Sequence, residues 1–108
     1  MSLLNVCTSG VYIIGAANNE TINMMTASLV IPASFSPPCI TIAFDQNRYT
    51  KDIILETGKF SVSVLAKTQA EIARRFGFVS GKEKDKLKGF DGYSMKGRLP
   101  VINDCTAW

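Results

Sequence analysis

From Asn23 to Ile54 the chain reads NMMTASLVIPASFSPPCITIAFDQNRYTKDII, and no other stretch narrows the possible folds as sharply. An apolar, β-branched run carries small hydroxyl and alanine residues in its middle. It is cut by Ser36-Pro37-Pro38, because proline has no N–H to give to the interior of a ladder. Beyond the prolines, Cys39–Phe44 alternates. Ile40, Ile42 and Phe44 face one way and Thr41 and Ala43 the other, the two-residue period of a strand. Asn47-Arg48-Tyr49-Thr50 then marks a passage from strand to helix.

The flanking sequence extends the same theme. Val11–Ala16 is an apolar run closed by the polar turn Asn18-Asn19-Glu20, and a second strand over Ile22–Ile31 makes the pair a hairpin. Thr50–Thr57 reads as a short helix stopped by Gly58. Phe60–Leu65 reads as a strand with Phe60, Val62 and Val64 inward and Ser61 and Ser63 outward. Thr68-Gln69-Ala70-Glu71 fits a capping box opening a helix that runs to about Phe76, with Ile72, Ala73 and Phe76 as its apolar side. Gly89–Pro100 reads as an extended, irregular connection, and Val101–Trp108 is too short to classify. Strands of period two joined by tight turns predict a mainly antiparallel sheet or small barrel with helices at its side, not a doubly wound sheet. At 108 residues, one domain over 1–108 is expected.

Several chemistries are excluded at this level. The net charge of +3 gathers in Arg74, Arg75 and the Lys82–Lys88 run, with no interleaved aromatics, so no nucleic-acid partner is expected. There is no histidine, and Cys7, Cys39 and Cys105 lack CxxC spacing, so no metal site and no imidazole-assisted nucleophile are expected. No carboxylate pair is placed for acid–base work, and Asp45 reads as a turn former. The glycines of Gly77-Phe78-Val79-Ser80-Gly81-Lys82 are too close for a phosphate loop, and no Ser or Thr follows the lysine. No GxGxxG turn occurs. MSLLNVC lacks a basic region, and no window reaches membrane-spanning length, so a cytoplasmic protein with reduced thiols is expected. No catalytic side chain is assigned.

What remains is chemistry brought by a cofactor, which the protein would only bind, orient and shield. Thr26, Ala27 and Ser28 are small enough for a flat ring to approach the backbone. Asn47, Arg48 and Thr50, at a strand-to-helix junction, supply amide groups, a guanidinium and a hydroxyl for a phosphate. The plain alternative stands beside this: Thr26 and Ser28 as ordinary strand residues and Thr50 as a helix N-cap, a composition common at strand and helix ends.

The ordered set NxMTAS, Ala33-Ser34, Pro37-Pro38 and an alternating strand ending near Asn47-Arg48-Tyr49-Thr50 resembles the flavin reductase-like domain of the FMN-binding split-barrel superfamily. Lys59–Leu65 (KFSVSVL) is similar to that family's G-x-F-x-V-N-V-L strand, with Ser63 where Asn is frequent. Arg75-Phe76-Gly77, Ser80-Gly81 and Asp85-Lys86-Leu87 resemble its RFG…SG…DKF run, with Leu for Phe. Leu99–Trp108 is similar to the segment that leads into its next strand, so nearly the whole chain is covered.

The resemblance implies a split β-barrel, antiparallel and Greek-key-like, that forms a homodimer and holds FMN near the dimer interface. It implies that Thr26, Ala27, Ser28, Ala33 and Ser34 line the flavin ring, largely through main-chain groups, and that Asn47, Arg48 and Thr50 hold the phosphate. Lys86 is a further charge candidate, although Lys82–Lys88 reads first as a solvated face. Electrons would pass from NADH or NADPH to flavin, or onward to an acceptor protein. Family members continue past the position of Trp108 through closing strands, which in several reductases carry a histidine, so a C-terminally truncated barrel is expected. A flavin-binding electron carrier without a nicotinamide site, and a module that keeps the fold but binds nothing, are the alternatives.

Overall fold

The computed structural model describes residues 11–27, 30–43, 49–77 and 89–108. At its centre are three antiparallel strands in the order β2-β1-β5: β1 (Tyr12–Ala17), β2 (Ile22–Ala27) and β5 (Ser61–Val64). Asn18 closes the β1–β2 turn, its side-chain oxygen accepting from the N–H groups of Glu20 and Thr21. Four consecutive residues of β1, Ile13 to Ala16, are buried, because both faces of this sheet are covered. Ile13 and Met24 pack with Phe76 and Ile102 on one face. Ile14, Met25 and Ala27 pack with Val30, Ile42, Ile54 and Val62 on the other.

The second face is covered by α1 (Tyr49–Thr57) and by the root of a hairpin, β3 (Val30–Phe35) with β4 (Pro38–Ile42). The run read as one strand over Ile22–Ile31 is thus divided. Its first part pairs with β1 and its second with β4. An unbroken apolar run looks the same whether the chain stays in one sheet or changes sheet, so periodicity could not find the boundary. Ser36 and Pro37, joined by a cis peptide, form the hairpin turn, and Pro38 takes the first position of β4, where a missing N–H is tolerated. Away from its root the hairpin is exposed; Phe35 is 89% accessible.

The first face is covered by α2 (Ala70–Gly77) and by a second hairpin, β6 (Tyr93–Lys96) with β7 (Leu99–Ile102). The Gly89–Pro100 segment is therefore not an irregular connection. Lys96 pairs with Leu99 across a two-residue turn in which Gly97 has φ +65°, a conformation glycine adopts without strain. Phe90 meets Phe76 edge-on at 5.2 Å and stacks on Tyr93, and the Arg75 guanidinium lies 5.2 Å from the Phe90 ring centre.

The outward placement of Ser61 and Ser63 is corrected as well. Ser63 is only 1% accessible, and its hydroxyl accepts the main-chain N–H of Ile102 at 3.0 Å. Ser61 donates to the carbonyl of Pro100. Both serines thus hold β7 across the sheet through its backbone, an arrangement alternation cannot reveal because each hydroxyl has a hidden partner. Phe60, expected inward, is 38% accessible. Beyond β5 the chain end continues the sheet: Val64 N–H donates to Ala107 and Thr106 N–H to Val64, both at 2.8 Å.

The helix starts and stops are mostly as read. Gly58 ends α1 with φ +73° and its N–H on the Ile54 carbonyl at 2.7 Å. The capping box at Thr68 is not formed. A 3₁₀ turn over Lys67–Gln69 precedes α2, and the Gln69 side chain reaches back to the Ala66 N–H at 2.8 Å. Glutamine does there what the glutamate of the expected box would have done two residues later. Cys39 is exposed and Cys105 half-buried, both as free thiols, while Cys7 lies outside the described residues. No described helix is long and apolar enough to cross a membrane.

Candidate functional site

The end of β2 is fixed by its pairing with β1, Thr26 opposite Ile13 and Ala27 opposite Tyr12. Thr26 spends its hydroxyl inward, donating to the Ala73 carbonyl of α2 at 2.6 Å. Gly77, the last residue of α2, lies over the same side chain; a Cβ there would stand 3.5 Å from Thr26 Cβ. Thr26 therefore ties helix to sheet near the end of β2. Ala27 is buried beside Val30, the first residue of β3.

Further along β3 the register shifts between Pro32 and Ser34, so Ala33 has no partner on β4. A bulge of this kind leaves main-chain groups outside the ladder. Ala33 is exposed and Ser34 half-buried, so an unpaired backbone segment with small side chains faces outward. That fits a flat group held through main-chain contacts.

Thr50 is placed differently. It is 1% accessible, and its hydroxyl accepts the Asn23 side-chain amide at 2.7 Å; Asn23 itself is 4% accessible. Tyr49 brings its hydroxyl to Thr21 Oγ1 at 3.4 Å, and Asn18 donates to Glu56 Oε2 at 3.2 Å. Three polar contacts thus fasten α1 along the β1–β2 hairpin. Asn23 and Ala27 are four residues apart, about 13 Å at the usual strand rise. β2 thereby serves as a ruler, with the small-residue end at Ala27 and the start of α1 tied near Asn23.

The described residues bring Thr26 and Ala27 together and set Ala33 and Ser34 beyond them on β3. The Thr50 hydroxyl does not reach the surface. Ser28, Asn47 and Arg48 lie outside the described residues. Asn23 and Gly77 were not assigned by sequence reasoning, although both stand inside motifs that it used. An amide in the otherwise apolar strand INMMTA was the available signal for Asn23. A groove of about 800 Å³ lies elsewhere, between the β1–β2 turn, Lys59 and the Lys96–Leu99 turn. It touches none of the expected site residues, and its long charged side chains are unlike a cradle for a flat ring.

Both the sequence and the fold of the chain have parallels among known proteins. The chain is 33% identical over 104 residues to a high molecular weight rubredoxin of Moorella thermoacetica, covering 95% of this chain and 45% of the relative. It is 29% identical to a ferric-chelate reductase (NAD(P)H) of Archaeoglobus fulgidus, covering 86% of this chain and 56% of the relative. An FMN-binding domain of a flavin reductases-like enzyme from Shewanella baltica superposes with a TM-score of 0.80 at 26% identity, over 89% of this chain and 52% of that one. The chain spans about half the length of the curated relatives it matches. Its fold, mainly β with helices at the side and no closed barrel among the described residues, is the split barrel of those structures. The flavin reductase like domain matches residues 4–108, and the chain belongs to that family.

Proposed function

We propose that this chain is the FMN-binding part of a flavin reductase-like oxidoreductase that takes electrons from NADH or NADPH and passes them to flavin or to an acceptor protein. The observation that supports this most is the meeting of a family match over residues 4–108 with the unpaired, small-residue backbone at Ala33. FMN, when bound, supplies the redox chemistry. The chain's own residues bind and orient. Ala33 and Ser34 leave room and main-chain groups for the ring, while Ala27, packed in the core at the end of β2, leads into Ser28 in sequence. Thr26 holds α2 against that strand. Asn47, Arg48 and the first turn of α1 are the proposed phosphate end.

The homodimer belongs to the same reading. The exposed apolar side chains Ile31, Phe35 and Ile40 on the β3–β4 hairpin are the proposed contact, next to the ring-binding residues. A cytoplasmic location is proposed with it. The second reading is an electron carrier without a nicotinamide site, favoured by the likeness to a high molecular weight rubredoxin.

Incubation of the chain with excess FMN, followed by gel filtration, is expected to give a coloured protein with flavin absorbance. A chain that stays colourless defeats the flavin reading. Steady-state oxidation of NADH or NADPH by the loaded chain separates reductase from carrier.

A further inference from the structure

We infer that the groove between the β1–β2 turn, the end of α1 and the β6–β7 turn is a docking site for an acidic, mixed-charge polypeptide segment of a partner protein. The inference does not depend on the FMN reading. The groove has a volume of about 800 Å³, room for several side chains of a partner. Three cations reach it from two places. Lys59 comes from the connection between α1 and β5, and Lys96 and Arg98 come from either side of Gly97 in the β6–β7 turn. Among the described residues, none of the three has a carboxylate within ion-pair distance. The groove also holds two carboxylates, Glu20 from the β1–β2 turn and Glu56 from the last turn of α1. Glu56 accepts the Asn18 amide at 3.2 Å and takes no lysine or arginine of the groove. The positive charge is therefore left for a ligand.

The charge pattern selects among anions. A small phosphate or carboxylate is held best by donors converging from closed walls, whereas the three cations here end long, exposed side chains. A nucleic acid would carry phosphates alone past Glu20 and Glu56, and like charges repel. A polypeptide brings both signs, acidic side chains to Lys59, Lys96 and Arg98 and a basic one to Glu20 or Glu56. Contacts among exposed charges of this kind make an association that is fast and sensitive to salt. Lys96 also supplies a signal. Its ammonium lies 5.8 Å from the ring centre of Trp108, the one tryptophan of the chain. A carboxylate that takes Lys96 changes the surroundings of that ring.

The full chain is titrated against a dye-labelled Glu-Glu-Lys-Glu-Glu-Lys peptide, with affinity read by fluorescence anisotropy and the place of binding by the emission of Trp108. Saturable binding with a change in Trp108 emission is expected at low ionic strength, and its loss at high salt. Lys59→Ala and Arg98→Ala are each expected to weaken the peptide about two- to fivefold, the range for one exposed ion pair, and together to weaken it by about the product. Both side chains are exposed, so folding is not at stake. Arg74→Ala, an equal loss of charge on α2, is expected to leave the affinity unchanged. Equal weakening by Arg74→Ala would show attraction by net charge alone and overturns the inference. Binding that leaves Trp108 emission unaltered places the peptide elsewhere and also overturns it, as does no binding at low ionic strength. A labelled thymidine hexanucleotide is expected to bind more weakly than the peptide; if it binds as well or better, the groove is a nucleic-acid site and the polypeptide partner is refuted.

Discussion

Gly15 shows how tightly a single position can be specified in this chain. A Cβ there would stand 2.7 Å from the Pro100 carbonyl oxygen and 2.5 Å from Ser61 Oγ, because β7 crosses β1 at that point. The Ser61 hydroxyl is not free to turn aside, because it is itself held by the Pro100 carbonyl, and that carbonyl oxygen is backbone. Gly15→Ala is expected to destabilise the fold by about 3 kcal/mol, the upper part of the range for overpacking. Denaturant unfolding monitored by the fluorescence of Trp108 checks this. Ser63→Ala is expected to be milder, about 1–3 kcal/mol, since it strands the buried N–H of Ile102 without a clash. Neither residue was legible as structural. A glycine inside an apolar strand and a serine in an alternating one carry no sign of what lies across from them, and both answers come from β7, far away in sequence.

Among the elements, those set by neighbouring residues were the most legible. The helix over Tyr49–Thr57 and its glycine stop were readable from local chemistry. The β6–β7 hairpin was missed because Gly97-Arg98 was taken with the other breakers of its segment, although a glycine between two four-residue strands is what a two-residue turn needs. Residues of the site were legible as a motif but not as roles. Thr26 and Thr50 were read as site residues, and both hydroxyls are spent on the interior, one on α2 and one on β2. α2 depends on one anchor in particular. Phe76 is fully buried and touches Phe90 edge-on, so Phe76→Ala is expected to cost about 3–5 kcal/mol, measured by chemical denaturation. Since α2 is tied to Thr26, the same change is expected to weaken FMN and riboflavin alike.

Across the molecule, burial falls off from the centre outward. β1 is enclosed on both faces, whereas the β3–β4 hairpin is held to the body at its root, through Val30 and Ile42. A two-stranded arm of this kind has little stability of its own. Phe35→Ser at its tip is expected to change monomer stability by no more than about 0.5 kcal/mol. It is expected to shift the proposed homodimer towards monomer in analytical ultracentrifugation; an unchanged sedimentation profile rules out this face as the contact. The exposed thiol of Cys39 on β4 gives that arm a native chemical reporter, while the Cys105 thiol is turned to the Ala107 carbonyl at 3.3 Å. Alkylation of Cys39, followed peptide by peptide in a mass spectrometer, would report on whatever covers the hairpin in solution without any change to the sequence.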